Sequence, residues 1–210
     1  MRIQTIFCAM MLAVSAAPAV CVAQEFSADV VYLSGSKSRP SANSDESGHS
    51  SKLYVSKEKM RLEPRGYAGT VLVLDRAQDT AFAIVPKTKE YEPLTGGVPE
   101  YFSVKDAENA CPDWQSAGSE NIDCEKAGHE TIGGRATVKY KNKAAAESGI
   151  SAVWIDLELK YVIKWESSTT GAELRNIQQA HQPDDLFTRP SDYDLSKPRK
   201  GNGKGFSKHG

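Results

Sequence analysis

The stretch "SAVWIDLELKYVIKWESS", residues 151–168, restricts the possible folds more than any other part of the chain. Val153, Ile155 and Leu157 alternate with Trp154 and Asp156, and Val162 is followed by Ile163 across the return, so both faces of this hairpin carry apolar groups. A strand that is apolar on both sides needs a cover on each. In a sheet curled into a half-barrel, one cover is a helix and the other a ligand or a lid.

Strand signals continue on both sides of this hairpin. "EFSADVVYL" alternates with Phe26, Ala28, Val30 and Tyr32 on one face, "KLYVSKEKMRLEP" offers two short strands around a Lys-Glu-Lys turn, and "TVLVLD" and "TAFAIVP" form a hairpin with a buried pair of strands. "KEYEPL", "HETIGG", "RATVKYKNK" and "AELRNIQQA" add more, for a total of about eight to ten. Helix is scarce, and only "VPEYFSVKDAENA", with Pro99 near its start, reads as a short one. The expected fold is mainly β with minor α: a curled antiparallel sheet or incomplete β-barrel, with one or two short helices plugging the opening. Between the first two strand signals, "SGSKSRPSANSDESGHSS" has no core-forming residue, which predicts a mobile loop over 34–51.

The two ends differ from the body. "MRIQTIFCAMMLAVSAAPAVCVAQEF" has one early positive charge, an apolar run and small residues ahead of Gln24, the pattern of a secretory signal peptide over residues 1–23. Cleavage follows Ala19 or Ala23, and Ala23 is preferred because a strand-like segment starts right after it. No spanning segment would remain after cleavage. A single domain over 24–195 and a disordered basic tail over 196–210 complete the expected organisation. The tail holds Lys197, Arg199, Lys200, Lys204 and Lys208 and no acid, so the body is clearly acidic and reads as no nucleic-acid binder.

Of the chain's 4 cysteines, Cys8 and Cys21 leave with the leader. Cys111 and Cys124 remain as an even pair in an oxidising compartment, which predicts a structural disulfide around "CPDWQSAGSENIDC" and a periplasmic location. A redox pair would show C-x-x-C, and His49, His129 and His181 are scattered singly, so neither a metal site nor a cofactor is expected. The chain has no G-x-S-x-G, H-E-x-x-H or P-loop, and it reads as a non-enzyme. "GHETIGG" is explained by glycines at a turn or bulge, and Asp156 by a turn-side charge.

The order "KLYVSKEKMRLEP", "AFAIVPKTKEYEPL", a Cys pair before "AGHETIGGRATVKY", then "VWIDLELKYVIKWE", "ELRNIQQ" and "DLFTRPSDY" resembles the LolA/LolB-like superfamily of periplasmic lipoprotein carriers, in particular a functionally uncharacterised branch of it. The resemblance covers about Glu25 to Leu195. It implies an incompletely closed antiparallel barrel, helices in its opening, and an apolar cavity for acyl chains. Tyr32, Leu72, Phe82, Tyr91, Trp154 and Trp165 are then the candidate ligand-binding residues, with Tyr54 and Phe187 as further candidates, and Arg61 of "KMRLE" takes the place of a residue that helps close the lid. Any one of these aromatics is more simply read as filling a plain core, and Arg61 equally suits a surface ion pair with Glu63 or another acid. Two functions follow on this scaffold: binding or carrying a lipid or lipoprotein acyl chain, or an envelope protein-interaction or sensing role with no bound lipid. An unrecognised hydrolase ranks below both.

Overall fold

Alternating strands dominate the structure as they do the sequence. A computed structural model describes residues 25–34, 39–40, 51–63, 69–94, 103–117, 122–145 and 149–196. The expected leader, most of the 34–51 loop and the tail beyond residue 196 lie outside the described residues. One sheet holds all thirteen strands found among them, more than pattern alone separates because several are short. They are β1 (Glu25–Ser34), β2 (Arg39–Pro40), β3 (Ser51–Ser56), β4 (Lys59–Glu63), β5 (Val71–Asp75), β6 (Thr80–Val85), β7 (Glu90–Pro93), β8 (Cys124–Ile132), β9 (Arg135–Asn142), β10 (Ile150–Asp156), β11 (Tyr161–Ser167), β12 (Thr170–Gln179) and β13 (Asp194–Leu195).

The strand order is β13-β7-β6-β5-β4-β3-β1-β12-β11-β10-β9-β8, with β2 paired to β1. Two meanders, β3 to β7 and β8 to β12, are therefore joined through the first strand, which lies between β3 and β12. Short hairpins make each meander cheap to form, and the long-range pairing of β1 locks the two together. The sheet does not close, since β8 and β13 remain edges. It bends enough for Tyr161 Oη of β11 to donate to Met60 Sδ of β4 at 3.4 Å, although three strands separate them in the sheet order.

Glycines sit where the backbone requires them. Gly133 and Gly134, at φ of 56° and 82°, make the two-residue turn between β8 and β9, and Gly128, at φ 125°, lies at the β8 bulge. This is the turn-and-bulge reading of "GHETIGG". Asp156 also matches its sequence reading: its Oδ1 accepts from Glu158 N at 2.9 Å and Leu159 N at 2.8 Å, capping the β10–β11 turn.

The helix differs from expectation. Within the expected Val98–Ala110 segment the described part, residues 103–110, holds a 3₁₀ turn at Ala107–Asn109, while the α-helix, α1, is Cys111–Ala117, inside the disulfide loop. Its sequence shows no apolar stripe because one residue does the anchoring. Trp114 is buried against Val138, Tyr140, Val153 and Ile155 of β9 and β10. Pro112 stands near the helix start, where its missing N–H costs nothing.

The Cys111–Cys124 disulfide ties the start of α1 to the start of β8, with Cα atoms 5.5 Å apart. Tyr140 Oη donates to Ala107 O at 2.9 Å and accepts from Ala110 N at 3.2 Å, fixing the same cover from below. Alkylation of unreduced protein should label neither cysteine, and denaturant titration of the reduced form should show a loss of ~3 kcal/mol. Full labelling without reductant would contradict the bond.

Candidate functional site

The period of two divides every strand between the two faces of the sheet, and the pairing register shows which residues share a face. Leu53 faces Leu62, Leu62 faces Leu72, and Val30 faces Leu174 across their ladders. These side chains are on the inner face. Arg61 faces Tyr54 and Val73, and Val73 faces Phe82, which places all four on the outer face.

The inner face has two halves. Over β9 and β10 it is covered by α1 and the Ala107–Asn109 turn. Over β1, β3, β4, β5, β11 and β12 it lines an apolar cavity of about 310 Å³. Val30 and Tyr32 of β1, Leu53 of β3, Met60 and Leu62 of β4, and Leu72 and Leu74 of β5 form one wall. Tyr161, Val162, Ile163 and Trp165 of β11 with Ala172 and Leu174 of β12 form the other. Among the described residues no charged side chain lines it. Burial pushes the Tyr161 phenol well above the usual tyrosine range, so it is neutral at physiological pH.

The β10–β11 hairpin explains how a chain apolar on both faces is accommodated. A register shift between Trp154 and Ile155 leaves Ile163 as an extra residue, and Val162 and Ile163 both reach the cavity. Trp154 points outward yet is 2% exposed. Lys139 and Lys164 lie over its ring at 4.3 and 4.4 Å, and its Nε1 donates to Glu130 Oε2 at 2.6 Å. Two lysine stems thus supply the outer cover in place of a layer of structure.

The hydrogen bond from Trp154, with further help from Lys139, holds the Glu130 carboxyl below the ordinary glutamate value against the opposing effect of burial. A depressed carboxyl contributes stability that is fully present above its unfolded pKa and is lost as pH falls through the folded one. Thermal unfolding followed between mildly acidic and strongly acidic pH should therefore fall less steeply for Glu130→Gln than for the wild type. An unchanged slope would show that this carboxylate contributes nothing to acid sensitivity.

Of the candidate ligand residues, Tyr32, Leu72 and Trp165 lie at the cavity. Arg61, Phe82, Tyr91 and Trp154 do not, because strand alternation turns them to the outer face. Phe82 and Tyr54 pack with Phe187 and Tyr193 against Val71, Val73 and Ile84, and the Arg189 guanidinium stacks on Tyr91 at 4.4 Å. Arg61 Nη1 donates to Leu186 O at 2.9 Å and its Nε to Glu63 at 2.7 Å. It pins the 184–187 turn to the outside of the sheet. Met60, Leu62, Leu74, Ile163 and Leu174 were missed, although "KMRLE" carried the signal: Met60 and Leu62 flank Arg61 and share the phase opposite to it.

Among the described residues no group of three or more His, Cys, Asp or Glu is placed to hold a metal, and no helix is long and apolar enough to cross a membrane. Neither a family model nor a curated protein sequence matches the chain. Solved structures do. An uncharacterized conserved protein from Thermus thermophilus superposes with a TM-score of 0.50 at 10% identity, over 83% of this chain and 91% of that one. PNGF-II matches at a TM-score of 0.49 and 10% identity over 83% of this chain, which spans 31% of that protein. A LolA superfamily protein from Nitrosomonas europaea is also among the matches, at a TM-score of 0.29 and 10% identity over 78% of this chain and 90% of that one. The likeness is one of fold.

Proposed function

We propose that this chain is a non-enzymatic protein of the bacterial envelope that holds an apolar chain, such as a lipid or lipoprotein acyl group, in the inner-face cavity. The observation that carries this reading is the wall of the cavity: apolar side chains from six strands, with no charge among the described residues that line it. Water in such a space gains few hydrogen bonds, whereas each buried CH₂ of a ligand contributes ~0.8 kcal/mol. At about 310 Å³ the cavity lies at the lower end of the range for small-molecule sites, ~300–1,000 Å³, and suits one chain better than a bulky ring system. The leader-like N-terminal sequence and the disulfide support an envelope location.

A fluorescent fatty acid titrated into the mature protein should bind saturably, in the micromolar range or tighter once the entropy of association is subtracted. Lipid extraction and native mass spectrometry of protein purified from the envelope should identify a natural occupant. No saturable binding to folded protein, with no extractable lipid, would favour the envelope protein-interaction or sensing role instead.

A further inference from the structure

The cavity has an open end and a closed end, and the register tells them apart. Tyr32, Leu62, Leu72 and Trp165 lie toward one end, where Tyr32 is 49% exposed. At the other, Met60 pairs with Leu74 and Val55, and its Sδ receives the Tyr161 hydroxyl at 3.4 Å from across the sheet. Beyond this contact the core is solid. Phe26 packs edge-on against Tyr161 with ring centroids 5.1 Å apart, and Phe26, Val55 and Leu159 are all buried behind it.

We infer that the Met60–Tyr161 contact is the floor of the cavity and that Met60 sets the length of apolar chain the protein accepts, the chain entering tail first with its polar end left at Tyr32. The inference rests on reading the cavity as an acyl-chain site. Both halves follow from the wall chemistry. Among the described residues no cation lines the cavity to pair with a carboxylate or phosphate, so burying the polar end there would leave a charge uncompensated, while at Tyr32 it keeps its water. Tyr161 is backed by Phe26 and Leu159, whereas Met60 is half-buried, unbranched and flexible, and is the part of the floor whose size can be changed.

The test is a series of saturated fatty acids of increasing length, each competing with a fluorescent fatty acid on the mature protein. Affinity should rise roughly fourfold for each added methylene until the tail meets the floor, and then level off. Met60→Ala removes three heavy atoms and should move that break to chains longer by roughly two carbons. Met60→Phe is bulkier than methionine and should move it to shorter chains, which keeps the test available if the smaller side chain unfolds the protein. Leu72→Ala, at the open end, should weaken every chain alike and leave the break where it was. A break that stays in place in both Met60 variants would overturn the assignment of the floor while leaving acyl binding intact. Failure of the wild-type protein to bind any chain would overturn the acyl-site reading and this inference with it.

Discussion

Asp156→Ala should cost about 3 kcal/mol of folding stability and lower the melting temperature by roughly 6–12 °C. Asp156 is 1% exposed, and its carboxylate accepts from Arg135 through both Nε and Nη2 and from the Glu158 and Leu159 amides of the β10–β11 turn. Truncation leaves a partly buried guanidinium and two turn N–H groups without that acceptor. Breaking a fully buried pair costs ~3–5 kcal/mol, and the lower figure applies here because Arg135 keeps Glu158 at 3.2 Å. Asp156→Asn, which retains an oxygen for the turn amides, should recover part of the loss. Thermal and denaturant melts of the three proteins decide the matter, and a loss below about 1 kcal/mol for the alanine variant would show that the turn forms without its cap.

The second large effect is on binding. Leu62 faces the cavity while Arg61, its neighbour in the chain, faces away. Leu62→Asp places a carboxylate against a buried hydrocarbon chain and should weaken fatty-acid binding by at least ~30-fold, equivalent to ~2 kcal/mol of uncompensated desolvation. Arg61→Leu should leave binding unchanged and instead loosen the 184–187 turn that Arg61 holds through Leu186 O. The sequence resemblance implies the opposite, with Arg61 at the entrance. Equal loss in both folded variants would restore Arg61 to that place.

The comparison between Arg61 and Leu62 also shows what was legible in the sequence and what was not. Alternation in "EFSADVVYL" places Phe26, Ala28, Val30 and Tyr32 on one face, as found, and the pair of cysteines read with the expected compartment points to the disulfide. Both are local properties of the chain. Which face of each later strand turns inward depends on register, a long-range property set here by the insertion of β1 between β3 and β12. Phe82, Tyr91 and Trp154 therefore stand out in the sequence as aromatics to be buried, while their face, outside the cavity, does not. The bulge that brings Val162 and Ile163 together at the cavity has no sequence signal beyond two adjacent apolar residues. Helix α1 was hidden for a different reason: at 7 residues it is too short for periodicity, and its place is fixed by the disulfide and by Trp114.

The position of the three tryptophans permits a direct test of the cavity as the binding site. Trp165 lines it, Trp114 is buried beneath the helical cover and Trp154 lies on the outer face under Lys139 and Lys164. A fatty acid brominated along its chain quenches an indole only on close approach, so titrating it into the mature protein reports where the chain lies. Saturable quenching is expected, largely lost in Trp165→Phe and retained in Trp154→Phe. Saturable quenching that persists undiminished in folded Trp165→Phe, or its absence from the folded wild type, would contradict it.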